Sequence, residues 1–283
     1  MTSIAVLFHE NQESPEGTAI HGIADIWRES GMSVTYLRGT SRFVPADVLL
    51  VHVNLSVVPK RYLRFADRYP VVINRHITDI RKSSFSESLL QADSAWDGQV
   101  IVKSDLNYSG APEKNSGRNW LEAKSALVRR LRAAIERRIP SAMPFTDTDD
   151  YTIFDSMADV PAAYFSSRQV VVEKFLPETA GTDYAIRMYL FLGDNGFCVR
   201  LTSPDPIIKV GNSTHIEQVE PHPSVHEWQR RYRIDYGKFD YVVRDGNAIL
   251  LDINKTTGSR PELKSGNRTR DRFLAEAIHQ FVS

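Results

Sequence analysis

Strand-like apolar runs alternate with helix-spaced segments through the first ninety residues, and that alternation leaves the chain few ways to fold. Residues 3–9 (SIAVLFH) form a short apolar run. A polar loop follows, and residues 18–30 carry Ile20, Ile23, Ala24 and Trp27 at helical spacing before the Gly31 stop. The unit repeats: residues 34–37 read as a strand, 48–53 (VLLVHV) as a fully buried one, 60–67 as a helix and 71–74 (VVIN) as another strand. The pattern predicts an open parallel sheet with helices on its faces. It specifies the class more closely than the strand order, because short apolar strands between polar turns also suit a mixed sheet.

Beyond residue 90 the strands come in neighbouring pairs separated by turn signals, which predicts an α+β region. Within it, residues 119–138 have helical spacing, with Asn119 and Glu122 as a capping box, Pro140 as the stop and a strongly basic outer face that includes Arg129, Arg130 and Arg132. The acidic segment 147–159 follows. These two stretches read as solvated or mutually paired surfaces, or, as a function, as a basic face for an acidic substrate or partner.

Composition narrows the function. Lys plus Arg and Asp plus Glu number 35 each, so the net charge is zero, which argues against a nucleic-acid or anionic-membrane binder. No apolar run approaches the ~18 residues of a membrane span, and the first residues lack the basic start and cleavage site of a signal peptide. A cytoplasmic enzyme is the expectation, with a homodimer as the default assembly. A lone cysteine, Cys198, excludes an internal disulfide framework or a cysteine-based metal site, and its apolar strand-like setting predicts an inert core thiol.

The most informative segment is 239–254, FDYVVRDGNAILLDIN, in which two apolar runs flank Arg244-Asp245-Gly246-Asn247. That is a hairpin signal. A three-residue loop over 245–247 would set Asp240 opposite Asp252 and put Asn254 on the same face, leaving Phe239, Tyr241, Val243, Ile249, Leu251 and Ile253 as the core side. A two-residue loop would instead put the aspartates on opposite faces. Two carboxylates and an amide as neighbours are oxygen donors of the kind Mg²⁺ prefers; the plainer alternative is an exposed acidic strand face. Lys238, two residues before Asp240 on the same face, is a candidate cation there.

A second segment, 170–178 (VVVEKFLPE), is a buried-type strand that exits through two charges, two large apolar residues and Pro177. Its backbone could meet an adenine edge, with Phe175 and Leu176 covering the ring. Downstream, Asp183 could accept from ribose hydroxyls and Arg187 could clamp a phosphate; ordinary surface ion pairs are the alternative for both.

In order and spacing these pieces resemble the ATP-grasp superfamily of ATP-dependent carboxylate ligases, over roughly residues 71–283, with glutathione-synthetase-like members closest in pattern. The resemblance implies that Lys103 and Lys82 contact the nucleotide phosphates. It implies that Glu173, Lys174, Phe175 and Leu176 form the adenine hinge, that Asp183 meets the ribose, and that Asp240, Asp252 and Asn254 hold two Mg²⁺ ions, for which Mn²⁺ could substitute. It also implies the fold: a pre-ATP-grasp α/β domain over 1–90 with an open parallel sheet, then a two-subdomain ATP-grasp domain over 91–283, divided into about 91–175 and 176–283.

Two residue choices depart from the family pattern. The phosphate-covering loop carries one glycine, Gly110, where several are usual, and the second carboxylate is Asp252 where Glu is more frequent. The implied activity is a carboxylate–amine ligase working through an acyl phosphate on small amino-acid-like or peptide substrates, with Arg187 and Lys238 as catalytic cations. A small-molecule kinase on the same fold and a non-catalytic nucleotide-binding module are the alternatives. Lys209 is a weaker phosphate candidate, and His222 with His226 lacks a third ligand for zinc.

Overall fold

The computed structural model describes residues 1–12, 15–114, 151–258 and 264–282, with side chains in the last range from 268 onward. The helix expected over 119–138 and the first part of the acidic segment lie outside the described residues. The chain divides into two compact units. One contains residues 1–80, 84–87 and 176–283; the other contains 81–83 and 88–175.

The first unit opens with a four-stranded parallel sheet in the order β2-β1-β3-β4, made by β1 (Ser3–Phe8), β2 (Ser33–Arg38), β3 (Val48–His52) and β4 (Val71–Ile73). Every residue of β3 is buried, as a strand covered on both faces must be. Side-chain alternation along β1 divides the core: Ile4, Val6 and Phe8 join one cluster with helix α1 (Ala19–Glu29), while Ala5 and Leu7 join another with helix α2 (Lys60–Ala66). The expected Ile20, Ile23, Ala24 and Trp27 stripe is the buried face of α1.

The same unit holds a six-stranded antiparallel sheet in the order β11-β10-β9-β12-β13, with β8 also on β9. Its strands are β8 (Glu178–Ala180), β9 (Asp183–Leu192), β10 (Asn195–Ser203), β11 (His215–Gln218), β12 (Tyr236–Arg244) and β13 (Asn247–Asn254). One face packs Tyr189, Phe191, Phe239 and Tyr241 with Val225 and Trp228 from the helix Ser224–Tyr232. On the other face, Leu190, Leu192 and Tyr236 share the α1 cluster with Leu274 and Ile278 near the C-terminus. Asn74, just past β4 at φ 63°, ties the parallel sheet to β12: its Oδ1 accepts from the Asp235 and Tyr236 amides at 3.0 Å each, and its Nδ2 donates to the Tyr236 carbonyl at 2.8 Å. Asn tolerates this left-handed conformation better than most residues.

The second unit is built on a three-stranded sheet, β6-β5-β7, from β5 (Val100–Ser104), β6 (Thr152–Phe154) and β7 (Val170–Lys174). Leu90, Val100, Val102, Val170 and Val172 form its core with Tyr164. Among the described residues, no helix is long and apolar enough to cross a membrane.

Candidate active site

In the first unit the candidate metal residues are placed by the β12–β13 hairpin, and the structure corrects how. Arg244 pairs with Asn247, so the loop has two residues, Asp245 at φ 52° and Gly246 at φ 77°, rather than the three expected. Positive φ at both positions is the hairpin turn whose twist matches the flanking strands. Such a turn alone would set Asp240 opposite Leu251. A β-bulge between Asp240 and Tyr241 absorbs one residue of β13, and Asp240 faces Asp252 after all. The extra residue is Leu251, so Leu250 rather than Leu251 joins the core with Phe239, Tyr241 and Ile253.

Lys238 pairs in register with Asn254. Its Nζ lies 2.7 Å from Asp240 Oδ2, with both side chains largely buried. This ammonium supplies the positive charge that facing carboxylates require. Asn254 Oδ1 accepts from the Thr256 amide at 2.8 Å, which orients the side chain. Two carboxylates and an amide oxygen on one face fit a hard cation that completes its shell with water and phosphate oxygens. Among the described residues no three His, Cys, Asp or Glu side chains converge on a metal position, so the amide is needed for a third protein donor.

Arg187 is not brought to this group. It pairs with Tyr241 on β12 and Arg200 on β10, which puts it on the opposite face of the sheet from Asp240. There Glu178 Oε1 accepts from Arg187 Nη2 at 3.1 Å and Arg200 Nε at 2.9 Å, and Glu178 Oε2 accepts from the Val243 amide at 2.7 Å. Burial raises the Glu178 pKa, but the Arg187 hydrogen bonds, the Val243 amide and the two guanidinium charges outweigh it and hold the carboxyl below its ordinary value. Asp183, at the start of β9, shares the Arg187 face. Lys209 is exposed in the loop after β10, where its amide donates to Asn212 Oδ1 at 2.7 Å. Cys198 is buried with its thiol 3.4 Å from the Tyr241 hydroxyl, and burial pushes its pKa up.

The second unit gathers the expected nucleotide residues around β5 and β7. Ile101 pairs with Glu173 and Lys103 with Val171, so Lys103 and Glu173 share a face, and Lys103 Nζ lies 2.6 Å from Glu173 Oε2. Both are almost fully buried, at 5% and 2% exposure. Lys82, 3% exposed, reaches the same end of β5: its amide donates to the Asp105 carbonyl at 3.0 Å and its Nζ lies 3.4 Å from the Leu106 carbonyl. Lys174 places its ammonium 4.9 Å from the Trp96 ring centre. Phe175 is half-buried, with its amide donating to the Gln99 carbonyl at 2.9 Å, and Leu176 begins the chain's return to the first unit.

The loop after β5 turns without a glycine-rich run. Tyr108 (φ 50°), Ser109 (φ 49°) and Gly110 (φ 72°) are left-handed in succession, a conformation rare for the first two residue types, and Tyr108 stays 65% exposed.

Sequence reasoning missed Trp96 as a partner of Lys174 and Glu178 as the hub of the arginines. The first has no spacing signal. The second was visible only as the acid after Pro177.

No family model matches the chain, and no curated protein matches it in sequence. Solved structures do resemble it. The RimK domain ATP-grasp protein of Sphaerobacter thermophilus superposes with a TM-score of 0.50 at 8% identity, over 98% of this chain and 99% of that one. D-cycloserine synthetase DcsG gives 0.50 at 10% identity, over 97% and 99%. A RiPP-associated ATP-grasp ligase of Chryseobacterium gregarium, solved with ADP and a leader and core peptide, gives 0.50 at 10%, over 100% and 98%. The protein has the ATP-grasp fold.

Proposed function

We propose that the protein is an ATP- and Mg²⁺-dependent ligase that joins a carboxylate to an amine and releases ADP. The observation that carries this reading is the Asp240, Asp252 and Asn254 group on one sheet face, produced by a bulge that a plain hairpin would not need. In support, the Chryseobacterium gregarium ligase of the same fold was solved with ADP and a peptide.

In this reading the buried Lys103 and Lys82 hold nucleotide phosphates, Glu173 orients Lys103, and residues 173–176 meet the adenine. Asp240, Asp252 and Asn254 would hold Mg²⁺, which when bound neutralises charge on the triphosphate. Lys238 fixes the Asp240 carboxylate for that task. The substrate carboxylate attacks the γ-phosphorus and ADP leaves; the amine then attacks the acyl carbon and inorganic phosphate leaves. Arg187 takes no direct part and, with Arg200 and Glu178, holds the strands that carry the site.

ADP release measured across a panel of carboxylates and amines tests this. ADP and phosphate should appear together, only when both substrates are present, and Asp252→Ala should abolish the signal. A phosphorylated product without phosphate release would make the protein a kinase. Nucleotide binding without turnover on any pair would make it a binding module.

A further inference from the structure

A polar cluster in the first unit takes no part in the chemistry above. In the four-stranded sheet β1 lies between β2 and β3, so the chain leaves β1 to one side and later returns to the other. In open α/β sheets, ligands bind beyond the carboxyl ends of the strands at such a switch point. His9 and Glu10 follow β1 at that end, and the first turn of α2 brings Arg61 and Tyr62 to them.

The four side chains form a fixed half and an open half. Tyr62 is fully buried and His9 is 3% exposed, with their rings 5.9 Å apart. The Tyr62 hydroxyl donates to Glu10 Oε2 and accepts from the Glu10 amide at 3.3 Å, and Arg61 Nη2 donates to Glu10 Oε1. His9 Nδ1 accepts from the Asn11 amide at 3.2 Å, which leaves the proton on Nε2, 3.9 Å from Glu10 Oε1. Yet the side chains of Glu10 and Arg61 remain 43% and 47% exposed.

An ordinary surface pair has no buried anchors and contributes about 0–1 kcal/mol. Here a carboxylate is held in place by a buried phenol and a buried imidazole, with a guanidinium beside it and solvent in front. An anchored anion next to a cation, both reachable, is complementary to a zwitterion: an ammonium on Glu10 and a carboxylate on Arg61.

We propose that this cluster binds the ammonium and carboxylate groups of a free α-amino acid. That the amino acid is then a substrate rests on the ligase reading; its binding does not.

Calorimetric titration of the whole protein without nucleotide tests it. The common α-amino acids are each compared with their N-acetyl and carboxamide derivatives. At least one free amino acid should bind, and both of its blocked forms should bind at least about tenfold more weakly, the loss expected for one charge-assisted contact. Glu10→Gln should weaken that amino acid by a similar factor and leave ADP affinity unchanged. If no free amino acid binds, if the blocked forms bind equally, or if Glu10→Gln changes nothing, the proposal fails. The blocked-ligand comparison on the native chain stands even if the variant does not fold. Amino-acid binding without any ADP release would overturn the ligase reading alone, and ADP release without amino-acid binding would overturn this site alone.

Discussion

Asp240 and Asp252 face each other across β12 and β13 at a cost, since like charges directly opposite destabilise a strand pair by some tenths of a kcal/mol, and Lys238 offsets only part of it. If the pair is kept for a cation, activity and stability should respond to its loss in opposite directions. Asp252→Asn is expected to raise the unfolding free energy by about 0.5 kcal/mol in urea titration and to lower ADP release by at least about 100-fold. A clear loss of stability would instead make the pair structural.

His52, the last residue of β3, supplies a pH signature. Burial, with the Lys255 charge adding to it, pushes its imidazole down to about 3, whereas the unfolded chain takes up that proton near the ordinary value of 6.5. The folded pKa is the lower one, so the contribution is fully present above about pH 6.5 and is lost as pH falls toward about 3, at up to ~1.4 kcal/mol per unit. Between pH 7 and 5 the native protein should lose about 1–2 kcal/mol more than His52→Leu does. Parallel losses would show that the fold does not exclude this proton.

At the scale of elements, the hairpin shows what a sequence can and cannot disclose. Alternation around Arg244-Asp245-Gly246-Asn247 was enough to find the two strands and to set Asp240 against Asp252. The turn length was not legible, because a three-residue loop and a two-residue loop with a bulge give the same pairing at the aspartates and differ only between them, in the core position of Leu250. Gly246→Ala should cost about 1 kcal/mol, since its φ of 77° is strained for any residue with a Cβ, while leaving ADP release unchanged.

Helix α1 gives a sharper contest. Alanine exceeds glycine in helix propensity by about 1 kcal/mol, but a Cβ at Gly22 would run into the Asp271 carboxylate, which is buried and bonded to Arg270 at 2.7 Å. Overpacking of about 1–3 kcal/mol should win, so Gly22→Ala is expected to lower the melting temperature. A rise would show that Asp271 moves aside freely.

For the whole molecule, the parallel sheet was legible because period and burial are local properties: β1 to β4, α1 and α2 all fall where runs and spacing predict them. The Glu178 network was not, because its members at 178, 187, 200 and 243 meet only through strand register. The same register carries Arg187 away from the aspartates, which no count of residues along one strand could show. Zero net charge also acquires a meaning: it conceals buried cations at 82 and 103 in one unit and facing carboxylates at 240 and 252 in the other.

The claim that joins these observations is that the carboxylates hold a metal for a nucleotide. It is tested most directly by titrating the protein with a non-hydrolysable ATP analogue, with and without Mg²⁺, in the native chain and in Asp252→Ala. Binding should tighten at least about tenfold with Mg²⁺ in the native protein, and that gain should vanish in the variant. Affinity that ignores both Mg²⁺ and the loss of Asp252 would contradict the account.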